Sequence, residues 1–124
     1  MTTELAGGKY LLLTTFRKDG TPVPTPVWVV ADGGKMFAWS GKDTGKVKRI
    51  RRDGTVRIAP SDARGNPTGE SIDAHAELLD DTASDRVREL IGKKYGILGR
   101  VTLLGSRIRR GRTGTVGIAI VPST

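Results

Sequence analysis

At 124 residues with no cysteine, the chain has the length of one domain and excludes a disulfide framework, a thiolate nucleophile and a thiolate metal site. Lys and Arg number 21 against 13 Asp and Glu, so a formal charge of +8 favours anionic partners. No apolar run reaches the roughly 20 residues of a membrane-spanning helix, and the start lacks a signal-peptide layout, so the expectation is a cytoplasmic protein with no membrane partner.

The first predicted element is a strand over Lys9–Phe16, KYLLLTTF, apolar enough to be buried on both faces. Asp19-Gly20 turns the chain into a second strand, Val23–Val30. Pro24 and Pro26 lack N–H donors, so this half lies at an edge or beside a bulge. Asp32-Gly33-Gly34 makes a tight hairpin into a third strand, Lys35–Ser40, with Phe37 and Trp39. From Thr44 the spacing becomes helical. Val47 and Ile50 form a narrow apolar stripe, while Lys46, Lys48, Arg49, Arg51 and Arg52 crowd the remainder.

Asp53-Gly54 ends that helix, and Thr55–Ser61 reads as a fourth strand. Asp62–Gly69 is a polar loop. In Glu70–Leu79, Ile72, Ala74, Ala76 and Leu78 alternate with Ser71, Asp73, His75 and Glu77, which predicts a half-buried fifth strand. Asp80–Lys94 is the clearest helix, stopped by Gly96. Residues 97–108 fit a helical face weakened by Gly99 and Gly105, and Gly111–Val121 is a sixth strand. Six strands with a helix after the third and helices before the last predict a single domain over 1–124: a mainly β, six-stranded barrel with peripheral helices.

Little in the chain can do acid–base chemistry. His75, the only histidine, falls on the polar face of a strand, and without cysteine neither a zinc site nor a Ser-His triad can be built, so no metal is expected. Gly41–Lys46, GKDTGK, is too short for a phosphate-binding P-loop. The helix start at Thr44, Gly45 and Lys46 is the better anion site, since free N–H groups and the positive dipole end meet a lysine in the first turn. Asp43 is an alternative N-cap that would oppose an anion there. A basic helix of this kind is equally a solvated face. Poor acid–base equipment beside an anion site fits an enzyme whose cofactor carries the chemistry, or a binding module.

Four strings carry a resemblance. TTFRKDGTPVPTPVWVV (14–30), TGKVKRIRRD (44–53), ARGNPTGESIDAHAELLDD (63–81) and the tail KKYGILGRVTLLGSRIRRGRTGTVGIAI (93–120) together resemble the split β-barrel flavin and deazaflavin oxidoreductases of the pyridoxamine 5′-phosphate oxidase-like superfamily, most closely the deazaflavin-dependent branch. The resemblance implies a six-stranded split β-barrel of the FMN-binding kind, a homodimer with cofactor at the subunit interface, and hydride transfer by deazaflavin coenzyme F-420 to a small conjugated acceptor. The family's phosphate-binding basic pair maps onto Thr44 and Lys46, with Gly45 between them; Thr44 stands where arginine is frequent. The ring pocket maps onto Thr25, Pro26, Val27 and Trp28, bordered by Trp39 and Ser40. Relatives that bind FMN carry Arg and Lys on the second strand. Here that strand has neither, which favours the deazaflavin over FMN, the alternative cofactor.

No catalytic residue is assigned; Tyr95 and Ser40 are the proton-donor candidates. The Arg107–Arg112 cluster is read as solvated, with an anionic cofactor tail as its other use. Two readings compete with a reductase: a barrel that binds or sequesters cofactor without turnover, and a basic barrel that binds nucleic acid. An aromatic content of 5%, placed within strands, disfavours nucleic acid.

Overall fold

Two apolar faces with different periods organise the chain: a strand face that fills a barrel, and a helix stripe that covers part of its outer wall. In a computed structural model, the structure describes residues 9–110 and 114–123, with side chains for all of these but 97–110. The elements are β1 (Tyr10–Phe16), β2 (Pro22–Asp32), β3 (Lys35–Gly41), α1 (Gly45–Arg52), β4 (Thr55–Ser61), β5 (Ile72–Leu78), α2 (Asp81–Arg110) and β6 (Thr115–Pro122). The strands close a six-stranded antiparallel barrel in the order β1-β2-β3-β6-β5-β4, with β4 returning to β1. Closure removes the vulnerable edges of an open sheet.

Strand alternation fills the interior. Leu11, Leu13, Val27, Val29, Met36, Ala38, Val56, Ile58, Ala74, Ala76, Ile118 and Ile120 form one buried cluster. Ile50 of α1 joins it, and Val47 beside it is fully buried, so α1 plugs the mouth between the end of β3 and the start of β4. The β1 expectation needs correction: only Leu11, Leu13 and Thr15 are buried, and the alternate residues are half-buried. One face of this strand meets the core, and the other forms the barrel's outside.

A second apolar layer lies outside. Val87 and Ile91 of α2 pack with Val30, against which Trp28, Phe37, Trp39, Leu79, Leu90 and Tyr95 are gathered. Gly117 allows this approach, because a side chain there would crowd Val87, Leu79 and the Ser84 backbone at 3.1–3.2 Å. Ser84 Oγ accepts from the Gly117 N–H at 2.8 Å, and Arg88 clamps the Thr115 hydroxyl and carbonyl. The expected stop at Gly96 is present as a break inside α2, with φ 63° and ψ −138°, and residues 97–110 continue as helix. The arginine cluster at 107–112 lies outside the described side chains.

The hairpin between β2 and β3 needs both glycines. Asp32 faces Lys35 across a two-residue loop in which Gly33 and Gly34 have φ of 61° and 79°. Two consecutive positive φ values are what the strand twist demands of such a loop.

β2 changes partners midway. Pro22–Trp28 pair with β1, whereas Val29–Asp32 pair with β3. Pro22, Pro24 and Pro26 stand opposite Phe16, Thr14 and Leu12. A proline cannot join a pair that exchanges two N–H···O bonds, so Val23, Thr25 and Val27 carry the ladder to β1. Val29 is the next residue of that parity, and β1 begins only at Tyr10. There α2 supplies the bonds. Tyr95 Oη accepts from the Val29 N–H at 3.0 Å and donates to the Lys9 carbonyl at 2.6 Å. Lys94 Nζ donates to the Val29 carbonyl at 2.7 Å. The Tyr95 ring stacks on Trp28 at 4.4 Å and 10°, an arrangement worth about 0.5–1.5 kcal/mol beyond area burial.

Two predictions follow from this packing. At Gly54 a Cβ would lie 2.5 Å from the Ala76 carbonyl oxygen, which is backbone and cannot swing away. Gly54→Ala therefore costs about 1–3 kcal/mol by denaturant unfolding, and an unchanged midpoint would refute that close approach. Tyr95→Phe leaves the Val29 N–H without its acceptor and costs about 1–3 kcal/mol. Burial pushes the Tyr95 phenol above its ordinary 10.0. The folded value exceeds the unfolded one, so the contribution is whole below pH 10.0 and is lost as pH rises through the folded value. In an absorbance titration, a tyrosinate step above pH 10.0 should be present in the parent and missing in Tyr95→Phe.

Candidate functional site

The turn from β3 into α1 brings the helix in at a residue whose side chain does not cap it. Thr44 is the N-cap residue, with extended backbone at φ −77° and ψ 156°, but its side chain makes no capping bond. Its hydroxyl instead donates to the Gly41 carbonyl at 2.9 Å and lies 3.1 Å from the buried Ser40 Oγ. The Gly41 carbonyl thus accepts from both hydroxyls, and the Thr44 side chain is turned away from the first N–H groups of α1. No acidic residue occupies the first turn. The N-cap expected at Asp43 falls one residue later. The start of α1 therefore presents a positive dipole end with Lys46 in the first turn and the Asp43 carboxylate just before the cap.

Along α1, Gly45, Lys48, Arg49 and Arg52 share one face by their i, i+3, i+4, i+7 spacing. That face and Arg17 and Lys18 of the β1–β2 turn line an open cleft of about 350 Å³. Of Thr44, Gly45 and Lys46, only Gly45 lines this cleft. The basic run on α1 was visible in the sequence, but its meeting with Arg17 and Lys18 depends on the barrel bringing that turn beside the helix. The helical spacing was the available signal.

Strand alternation divides the residues mapped to a ring pocket. Val27 points into the core and Thr25 shares its parity, while Pro26 and Trp28 lie on the outer wall. Gly65 of the β4–β5 loop approaches Pro26 and Leu12 from outside, and Tyr95 covers Trp28. Trp39 and Ser40 likewise part: Ser40 turns inward to Thr44, and Trp39 joins the outer layer. The Trp39 Nε1–H is buried with no hydrogen-bond partner among the described residues, and a buried donor without an acceptor costs stability. Tyr95 is committed to the β1–β2 seam through its hydroxyl. His75 is exposed on the outer face of β5. Among the described residues no group of three or more His, Cys, Asp or Glu could hold a metal ion.

A flavin-type or deazaflavin cofactor has an anionic phosphate end and a planar ring with carbonyl acceptors. The dipole end of α1 with Lys46 suits the first, and the buried Trp39 N–H, without a partner among the described residues, suits the second.

The family model described as pyridoxamine 5′-phosphate oxidase matches residues 1–119. Several solved structures share the fold. A conserved hypothetical protein of Mycobacterium tuberculosis aligns at 21% identity over 100% of this chain and 81% of its own, with a TM-score of 0.74. A heme storage protein from Vibrio cholerae aligns at 16% identity over 98% of this chain and 87% of its own, TM-score 0.69. An F-420 reductase aligns at 19% identity over 98% and 93%, TM-score 0.63. No curated protein matches the sequence.

Proposed function

The chain belongs to the pyridoxamine 5′-phosphate oxidase family, and on that premise we propose that it is an oxidoreductase that binds deazaflavin coenzyme F-420 and reduces a small conjugated acceptor. The observation that carries this choice is the charge distribution around β2 and α1. β2, PVPTPVWVVAD, has no Lys or Arg for a mononucleotide phosphate, whereas α1 begins at a Thr44 whose side chain makes no capping bond and carries Lys46 in its first turn. FMN is the second reading, since a flavin ring presents the same kind of carbonyl to the Trp39 donor.

The bound coenzyme would supply the hydride. The chain's own residues bind, orient and desolvate. Lys46 and the N–H groups at the start of α1 would hold the phosphate. The Trp39 indole would fix the ring by one hydrogen bond. The half-buried outer residues of β1 and β2 would meet a second copy of the chain, and a homodimer would complete the pocket.

A titration with coenzyme F-420 beside FMN tests the cofactor. Binding of the deazaflavin at micromolar concentration or below, with FMN much weaker, is expected; the reverse order would overturn the argument from β2. Lys46→Ala should lower F-420 affinity by about 1.5–3 kcal/mol, as for a hydrogen bond to a charged group, while Lys35→Ala on the exposed hairpin leaves it unchanged. Light scattering should report twice the 13.3 kDa chain mass, and a monomer would remove the dimer from the proposal.

A further inference from the structure

The cleft between α1 and the β1–β2 turn contains more charge than the cofactor reading uses. Its lining is five cations (Arg17, Lys18, Lys48, Arg49 and Arg52) with Gly45, and no carboxylate or apolar side chain. Among the described residues none of the five forms a salt bridge, although Lys42, Arg57, Arg86, Arg88 and Lys93 all do. Cations that repel one another at close range cost folding free energy unless an anion neutralises them.

Two guanidinium groups are held in place. Arg49 donates through Nε to the buried Thr15 hydroxyl at 2.6 Å, and Arg52 donates through Nη2 to the Phe16 carbonyl. A guanidinium has five N–H donors, so each keeps others for a ligand. Gly45 makes room for this arrangement: a Cβ there would lie 2.7 Å from Arg49 Nη1. A glycine is a poor helix residue, and here its missing side chain leaves the Arg49 guanidinium against the first turn of α1.

We propose that this cleft is a binding site for a compact polyphosphate-type anion, adjoining the phosphate position at the α1 N-terminus through Gly45 but built on other side chains. Planar guanidinium forks match tetrahedral phosphate oxygens, and adjacent phosphates use several cations at once. The lining contains no aromatic side chain and no carboxylate, so charge dominates what it recognises. The cleft volume of about 350 Å³ holds a short chain of phosphates. This site does not require the deazaflavin reading, since Lys46 and Trp39 are not among its lining residues.

The test is calorimetric titration of the full chain with tripolyphosphate in phosphate-free buffer, with a triglutamate peptide and a long oligonucleotide in parallel. Saturable tripolyphosphate binding that persists in Lys46→Ala is expected, tighter than triglutamate and weakened by added salt. Lys48→Gln with Arg52→Gln should weaken it by roughly tenfold or more, whereas Lys46→Ala leaves it unchanged. Gly45→Ala, which displaces only the flexible end of Arg49, should reduce tripolyphosphate affinity without lowering Tm. Absence of saturable binding, or equal affinity in the double variant, overturns the proposal. Preference for triglutamate, binding confined to the long oligonucleotide, or loss of tripolyphosphate binding in Lys46→Ala does the same. Failure of F-420 to bind would leave this result standing.

Discussion

The fold depends on β2 exchanging β1 for β3 at Trp28 and Val29. A strand that changes neighbours leaves one residue's N–H and C=O at the junction with no ladder to join. Here Val29 is that residue, and two consecutive side chains of α2 take its two polar groups. Burying them unpaired would cost more than either bond contributes in water. Because Tyr95 also reaches the Lys9 carbonyl, one phenol ties together β1, β2 and the outer helix. The break at Gly96 comes one residue later, directly after the Lys94 and Tyr95 bonds to Val29.

That anchoring sets up the opposite end of the molecule. With β1 and β2 fixed, their connecting turn is delivered beside α1, and Arg49 and Arg52 reach back to Thr15 and Phe16. The same short helix therefore serves as a stopper for the core through Val47 and Ile50 and as a cationic surface through its other face. Eight residues suffice for both because a helix separates its faces by angle rather than by length. The closure of the core and the electrostatics of the site are thus properties of one element.

Much of this architecture could be read from the sequence. Alternation in β5 gave its two faces correctly, since Ala74 and Ala76 are buried while Asp73, His75 and Glu77 are exposed. The paired glycines located the β2–β3 hairpin, and Gly96 located the break in α2. β1 was less transparent, because an apolar run reads the same whether its outer face is fully or partly covered. The site was only partly legible. Helical spacing showed the basic face of α1, but no local pattern could show that a distant turn would complete a cleft, or that Thr44 would turn its hydroxyl back to Gly41. Those are tertiary outcomes. Neither was it evident that Trp39 and Ser40, adjacent in the chain, would serve opposite sides of the barrel wall, although strand parity implies it.

The alternate prolines of β2 bear on how this protein avoids unwanted assembly. On the side away from β1, Pro22–Trp28 has no partner strand among the described residues. An intruding strand laid along Pro22–Pro26 would meet carbonyl oxygens at Pro22, Pro24 and Pro26 but no amide hydrogens before that of Trp28. A cross-β stack grows by reciprocal pairing, so a template that can only accept stops after the first layer at most. An unpaired strand segment of this kind would ordinarily be an aggregation-prone seam. In this sequence the prolines of the segment also make it sterile.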